Sequence, residues 1–211
     1  MNREEIIRRV RSAPQGRRRS APGGGSGSAA PPLRGDHELN PDLYPPEREL
    51  KAAGVLVPLI ERRGELTVLL TRRTEHLYDH AGQISFPGGR VDPGDEGPVA
   101  AALREAAEEV GLPPGQVELA GELDLYVTRT GFEITPVVGF TAPFEAKPDS
   151  FEVAEVFEVP LGFILDPASR EIHSRSFKGA ERQFYVYPYG NYYIWGATAG
   201  MLNNLAEVLG D

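Results

Sequence analysis

The chain has 211 residues, of which 40% are hydrophobic and 25% charged, and 24 are glycine. This composition is ordinary for a globular protein, so it excludes wholesale disorder and predicts one domain with appendages. Cysteine is absent, which excludes disulfides, thiolate zinc sites and iron–sulfur clusters, and no apolar run approaches the roughly 18 residues of a membrane helix. We therefore expect a cytoplasmic protein that does not span a membrane.

The N-terminal part of the chain differs in charge from the rest. Residues 1–40 carry eight arginines and four acidic residues, which leaves 14 basic and 27 acidic side chains in residues 41–211. A body of that sign repels nucleic acid, so we expect no nucleic-acid partner, whereas small phosphorylated substrates stay open. The oligomeric state, monomer or homodimer, also stays open.

Residues 1–49 are predicted to form a flexible arm. Positions 12–33 are almost entirely small residues, proline, arginine and glutamine, which bury too little apolar area to offset the entropy of the chain. Before them, residues 4–11 place Ile6, Ile7 and Val10 at helical spacing, which is typical of a short docking helix. The three arginines at 17–19 are interpreted as a solvated tail, with polyanion binding as the alternative.

From residue 50 onward, the pattern is rich in predicted strands. Runs at 55–59 and 66–70 flank a Gly-containing turn and predict a hairpin. Helical patterns occur at 99–110 and 197–208. Further strands are predicted at 117–127, 134–140, 152–159, 172–177, 184–187 and 192–195. Residues 50–211 are therefore predicted to form one α+β domain, with a mixed, twisted sheet between helices.

The helix at 99–110 has well-marked ends and two distinct faces. Pro98 suits its first turn, Gly111 suits the position just after its end, and two prolines at 113–114 prevent its continuation. On a helical wheel, Glu105, Glu108 and Glu109 lie within about 100° of one another, opposite the apolar side chains. The helix is therefore amphipathic, with an acidic stripe.

The acidic stripe has two interpretations. Three carboxylates one turn apart repel each other unless cations neutralise them, and only Arg104 adjoins them. Clustered carboxylates without histidine or sulfur ligands suit Mg²⁺, or Mn²⁺ in its place, and the glycines before the helix let backbone approach metal and phosphate closely. A metal site that handles phosphate is one interpretation, and a solvated helix face is the other.

The stretch REAAEEVGL at 104–112 resembles the core of the Nudix box. Glu96 lies eight residues before Arg104, as the box requires. Six residues, rather than the usual five, separate Gly89 from Glu96, an expansion shared by the coenzyme A diphosphatase branch of the family.

A second stretch is similar to the signature that precedes the box in that branch. It comprises LLTRRT at 69–74, then Leu77, His80 and GQISFPGG at 82–89. It departs from the signature at Thr74, where serine is usual, and at Tyr78, where arginine is usual. Stretches at 152–157 and 196–199 also look like that branch, and the resemblance covers roughly residues 50–209.

The resemblance implies a Nudix fold and hydrolysis of coenzyme A, or its derivatives, to 3′,5′-ADP and 4′-phosphopantetheine. It implies that Mg²⁺ or Mn²⁺ is held by three glutamates and one backbone carbonyl, with Arg104 orienting the glutamates and Glu96 fixing that arginine. The implied metal ligands are Glu105, Glu108, Glu109 and the carbonyl of Gly89. In many members a general base comes from outside the box, and the candidates here are Glu155, which is preferred, and Glu152. The alternative is that both are ordinary exposed acids at the edge of a strand.

Arg72, Arg73 and Gly88 are the candidate substrate-binding residues, because they lie in the signature region and offer cations or an open backbone for phosphate. Either arginine also suits a surface strand. His76 and His80 are interpreted as loop residues rather than metal ligands, and the aromatic run at 184–195 suits core packing as well as adenine stacking.

Two other functions stay open at this point. One is a Nudix diphosphatase for another nucleoside diphosphate derivative, such as ADP-ribose, NADH or a damaged nucleotide, which Tyr78 motivates. The other is a non-catalytic, Nudix-like binding module, against which the presence of all three helix glutamates and Arg104 argues.

Overall fold

The structure is a computed structural model, and it describes residues 1–13, 34–40, 49–76, 80–177 and 179–210. The arginines at 17–19, most of the predicted tether at 12–33 and the signature residues Leu77 and Tyr78 lie outside the described residues. Within those ranges, none of the helices combines the length and the apolar character that a membrane crossing requires.

The described residues form four α-helices and twelve strands. The helices are α1 (Arg3–Ser12), α2 (Pro98–Val110), α3 (Leu161–Leu165) and α4 (Ala197–Leu209). The strands are β1 (Arg34–Gly35), β2 (Lys51–Arg62), β3 (Glu65–Arg73), β4 (Ile84–Ser85), β5 (Gly88–Arg90), β6 (Val117–Glu122), β7 (Tyr126–Val127), β8 (Phe132–Thr141), β9 (Val153–Pro160), β10 (Glu171–Phe177), β11 (Ala180–Tyr189) and β12 (Tyr192–Trp195).

Nine of these strands form one mixed sheet, in the order β1-β7-β8-β2-β3-β4, with β5 beside β2, β6 beside β8 and β9 beside β3. Strands β2 and β8 run parallel, and β2 and β3 form the predicted hairpin, which closes with Arg62 opposite Glu65. Strands β10, β11 and β12 form a separate antiparallel sheet. The predicted mixed sheet and the two long predicted helices are thus confirmed, the helices to within a residue or so at each end.

Both faces of the main sheet are covered by helices. Helix α2 packs its apolar stripe on one face, where Leu56, Ile60 and Leu69 are buried. The lack of a side chain at Gly54 permits this close contact, because a Cβ there would lie 1.9 Å from the carbonyl oxygen of Pro98 at the start of α2. Helices α1, α3 and α4 contribute to the larger apolar cluster on the opposite face.

The helix expected near residues 4–11 is present as α1, and it packs into the larger core. Ile6 and Val10 are fully buried, and Arg9 donates hydrogen bonds of 2.6 Å to the carbonyl oxygens of Leu209 and Gly210 at the end of α4. Farther along, β1 pairs with β7. These two pieces of the N-terminal part therefore pack with the domain, and a flexible tether between them stays a prediction.

The strand expected at 117–127 is divided. Its pairing with β8 shifts register between Leu119 and Gly121, and β6 ends at Glu122. The amide of Asp124 then donates to the side chain of Asn204 on α4 rather than to a neighbouring strand. A contact distant in the sequence thus interrupts the strand, which no local pattern indicates.

Candidate active site

Helix α2 presents its three glutamates at three different depths. Pro98 begins the helix, and Gly111 ends it in the left-handed conformation (φ 70°) that favours glycine. Glu109 is only 4% exposed, the side chain of Glu105 is 19% exposed, and that of Glu108 is 60% exposed. The acidic stripe is therefore not a solvated helix face, because one member is buried and a second is mostly covered.

Glu109 lies where the box helix meets the residues that precede it. The backbone N–H of Gly88 donates to its Oε2 at 3.2 Å, and Nη1 of Arg73 lies 3.5 Å from its Oε1. The pKa of Glu109 is raised to about 8, chiefly by burial and also by the charges of Glu105 and Glu152. The charge of Arg73 and the hydrogen bond from Gly88 oppose this rise. Carboxyl groups are thus crowded at one end of α2, where burial and their mutual repulsion favour the protonated form of Glu109.

Glu105 belongs to the same group of crowded carboxyls. Burial raises the pKa of its carboxyl group, Arg104 opposes that shift, and the charges of Glu108 and Glu152 add to it. Its carboxylate also lies against the backbone of Gly89, where a Cβ would come 2.2 Å from Oε1. Glycine at 89 therefore lets carboxylate and backbone share a confined space.

Arg104 is held by Asp95, which directly precedes Glu96. Its Nε and Nη2 lie 3.1 Å from the two carboxylate oxygens of Asp95, whose pKa is lowered chiefly by these bonds. Nη1 of Arg104 reaches Glu105 at 2.9 Å and Glu108 at 3.1 Å. Glu96 is exposed, and the role expected of it at Arg104 stays a prediction. The acidic residues in the loop before α2 indicated that Arg104 has a carboxylate partner there, but not which carboxylate it is.

The two candidate arginines point to opposite faces of the sheet. Successive side chains alternate along β3, so Leu70 and Arg72 share the face of the larger core, while Leu69 and Arg73 share the face of α2. Only Arg73 therefore reaches Glu109, and its Nη2 lies 3.8 Å from Glu152.

The two candidate bases are separated in the same way. Glu155 pairs with Arg72 at 2.8 Å and accepts a 2.6 Å hydrogen bond from the Tyr192 hydroxyl, on the face away from α2. Glu152 lies on the other side of an irregularity in the β3–β9 pairing, beside Arg73. The structure brings Glu152, but not Glu155, to the glutamates of α2.

The donor set fits a hard divalent cation. It consists of carboxylate and carbonyl oxygens, with repelling charges and a confined space at Gly89, which suits Mg²⁺ or Mn²⁺. In the residues that the structure describes, no three acidic or histidine side chains converge on one point, because Arg104 draws Glu105 and Glu108 while Gly88 and Arg73 hold Glu109. Cation binding would therefore replace some of these hydrogen bonds and ion pairs with metal–oxygen contacts.

The histidines and the aromatic run that the sequence analysis considered for metal or adenine binding lie outside α2. His76 and His80 are both outside helices, as expected; His80 bonds to Gln83 at 2.8 Å. The aromatic run forms part of β11 and β12, where Tyr187 is buried in the larger core. Core packing thus accounts for that member of the run.

Comparisons with known proteins show the family of this chain. A family model described as the NUDIX domain matches residues 50–177, so the chain belongs to the Nudix family. It is a hydrolase that acts on the diphosphate bond of nucleoside diphosphate derivatives, and such enzymes generally use divalent metal ions.

Curated relatives are similar over most of the chain. A protein named "Uncharacterized Nudix hydrolase NudL" from Cronobacter sakazakii is 42% identical over 179 residues, covering 82% of this chain and 90% of that relative. The protein of the same name from Escherichia coli K12 is 40% identical over 175 residues, with the same coverage.

Among solved structures, a MutT/nudix family protein from Enterococcus faecalis aligns with a TM-score of 0.48 at 16% identity, covering 79% of this chain and 70% of that one. A C. elegans Ap4A hydrolase aligns with a TM-score of 0.45 at 21% identity, covering 54% of this chain and 82% of that one.

Proposed function

We propose that this Nudix hydrolase cleaves the diphosphate bond of coenzyme A or its derivatives, with Mg²⁺ or Mn²⁺, to give 3′,5′-ADP and 4′-phosphopantetheine. The observation that carries diphosphate chemistry is the buried Glu109, crowded by Glu105 and Glu152 beside the open backbone of Gly88. Coenzyme A is favoured among diphosphates by the signature-like stretch at 69–89 that leads into this site.

The residues proposed to hold the cation are Glu105, Glu108, Glu109 and the carbonyl of Gly89. A divalent ion bound there would neutralise charge on the diphosphate oxygens, which makes the phosphorus a better electrophile. It would also lower the pKa of a bound water, which makes hydroxide available near neutral pH. Glu109 is suited to this role because its burial disfavours an uncompensated charge. Glu108 is 60% exposed and would have to open its ion pair with Arg104 to reach the cation.

Arg104 is proposed to position two of these carboxylates. Its guanidinium bridges Glu105 and Glu108, and Asp95 holds its other edge with two hydrogen bonds of 3.1 Å. A planar guanidinium held on both edges fixes the direction of the carboxylates it contacts. Asp95 is therefore proposed to support Arg104, and the same role stays a prediction for Glu96.

Glu152 is proposed as the general base that accepts the proton of the attacking water. It is the candidate beside Arg73 and close enough to raise the pKa of both Glu105 and Glu109. Glu155 is already engaged by Arg72 and Tyr192 on the other face, so the sequence-based preference for it is not retained. A base must lie within hydrogen-bond reach of its proton, which favours Glu152.

Arg73 is proposed to contact the phosphates. Among the described residues, its Nε is buried without a hydrogen-bond partner, and its other two nitrogens lie 3.5 and 3.8 Å from carboxylate oxygens. An anion that enters the site offers these donors closer partners. Gly88 adds a backbone N–H at the same point, whereas Arg72 lies outside this group.

Incubation with coenzyme A tests the proposal. Purified protein with Mg²⁺ or Mn²⁺ is expected to release 3′,5′-ADP, and Glu109→Gln is expected to lose this activity while Glu61→Gln, an exposed glutamate on β2, keeps it. Absence of 3′,5′-ADP with both metals rejects coenzyme A as the substrate. Faster hydrolysis of ADP-ribose or NADH in the same panel, compared by kcat/KM, assigns another substrate instead.

A further inference from the structure

Phe151 is an exposed aromatic side chain next to the candidate active site. It is 64% exposed, the highest value among the exposed large apolar residues of the described chain. It directly precedes Glu152, whose carboxylate lies 3.8 Å from Arg73. Single exposed apolar residues are common on surfaces, but this one stands at the rim of a site that handles nucleotides.

The backbone around Phe151 is fixed to both sides of the site. The amide of Asp149 donates to the carbonyl of Glu109 at 3.0 Å, and the Asp149 side chain accepts from the amide of Phe151 at 2.9 Å. Thr74, next to Arg73, donates its hydroxyl to the carbonyl of Phe151 at 2.8 Å. These bonds tie the loop to the end of α2 and to the end of β3, so the ring has a defined place.

His76 supports the ring of Phe151. The two rings lie 5.0 Å apart at 61°, an edge-to-face arrangement that is favourable for aromatic pairs. His76 lies three positions after Arg73, and Phe151 directly precedes Glu152. The two rings are therefore close in the chain to the two side chains of this ion pair. An edge-to-face neighbour leaves a face of the Phe151 ring available, consistent with its exposure.

We propose that Phe151, supported by His76, is the surface on which the base of the nucleoside stacks. This inference depends on the proposed function only in placing the diphosphate at the glutamates of α2. The base is joined to that diphosphate through one ribose, so it must lie near the rim. An aromatic ring stacks on any base, which contributes to affinity without selecting among bases.

The other aromatic side chains are less suited to this role. Tyr192 already stacks on Phe157, with ring centroids 3.7 Å apart and planes at 3°, and its hydroxyl engages Glu155 on the face away from α2. Phe184 and Trp195 contact each other on the separate sheet of β10, β11 and β12. Phe151 is the candidate in the loop that is hydrogen-bonded to α2, through the amide of Asp149.

Binding measurements with and without a base test the inference. Calorimetric titration with ADP and with ribose 5-diphosphate, in the presence of Mg²⁺, compares the wild type with Phe151→Ala, Phe151→Trp and Ile172→Ala. Phe151→Ala is expected to weaken ADP by about 5- to 150-fold and to leave ribose 5-diphosphate within about twofold. Phe151→Trp is expected to keep ADP affinity, and Ile172, which is 53% exposed on β10, is the matched control.

Three outcomes overturn the inference: ADP affinity that Phe151→Ala does not change, equal weakening of both ligands, or weakening of the base-free ligand alone. The thermal midpoint of each variant separates loss of folding from loss of stacking. Coenzyme A hydrolysis by the wild type is a separate measurement. Its failure rejects the proposed substrate, while the ADP comparison still decides the role of Phe151.

Discussion

Replacing Glu109 with glutamine removes a buried ionisable group and keeps its shape. The pKa of this carboxyl is raised to about 8 from its ordinary value of 4.5, chiefly by burial. Between these pH values, the folded protein holds a proton that the unfolded chain has released, so the free energy of unfolding falls as the pH rises. The contribution is fully present below about pH 4.5 and is lost as the pH passes about 8.

The size of this effect follows from the two pKa values. Their difference corresponds to about 5 kcal/mol, an upper bound because a charged carboxylate can relax toward water. Without divalent metal, we expect Glu109→Gln to become more stable relative to the wild type by up to about 1.4 kcal/mol for each pH unit between pH 5 and 8. The advantage then levels off at higher pH.

Urea unfolding at half-unit pH steps from 5 to 9, in the presence of a chelator, measures this difference. Subtracting the wild-type values from those of Glu109→Gln removes the contributions of groups that both proteins share. Glu61→Gln, at an exposed side chain on β2 away from the glutamates of α2, is the control, and the slope for Glu109→Gln is expected to exceed the slope for this control. A flat difference for Glu109→Gln, or one that falls with rising pH, would refute the reasoning.

Three further outcomes are expected. Glu152→Gln lowers kcat by about 100-fold or more, whereas Glu155→Gln lowers kcat far less; steady-state kinetics of both variants measure this, and equal losses contradict it. Asp95→Asn lowers kcat by about tenfold or more without unfolding the protein, because Arg104 loses a charged partner, and kcat beside the thermal midpoint checks it. Ile6→Ala lowers the free energy of unfolding by about 2–4 kcal/mol, since Ile6 is fully buried, and a loss below about 0.5 kcal/mol in urea unfolding contradicts this.

Local patterns in the sequence were sufficient for the helix that carries the glutamates. Pro98 and Gly111 set its ends, and the spacing of its apolar residues set its two faces, because both depend on neighbours within a few positions. The hairpin of β2 and β3 was likewise predicted from alternation and a turn. The same holds for the pattern at 104–112, from which family membership followed.

Contacts between distant parts of the chain were decided by the tertiary structure alone. Helix α1 had the right spacing in the sequence, but only packing shows that Ile6 and Val10 are buried in the core. Asp95 and Glu96 are both acidic and adjacent, and the bend of the loop decides which of them meets Arg104. Sequence spacing cannot give that direction, since it depends on where the loop is anchored.

The sequence by itself was sufficient for the fold class and the acidic stripe of α2, which depend on short-range periodicity, and for the family, through the resemblance of residues 104–112 to the Nudix box. The tertiary structure decided which of two neighbouring arginines and which of two nearby glutamates lie beside that stripe. In a strand, one step along the chain moves a side chain to the opposite face, which separates Arg73 from Arg72. The ion pairs then place Glu152 beside Arg73 and Glu155 beside Arg72. Arg73 and Glu152 therefore lie with the glutamates of α2, and Arg72 and Glu155 lie together on the other side of the sheet.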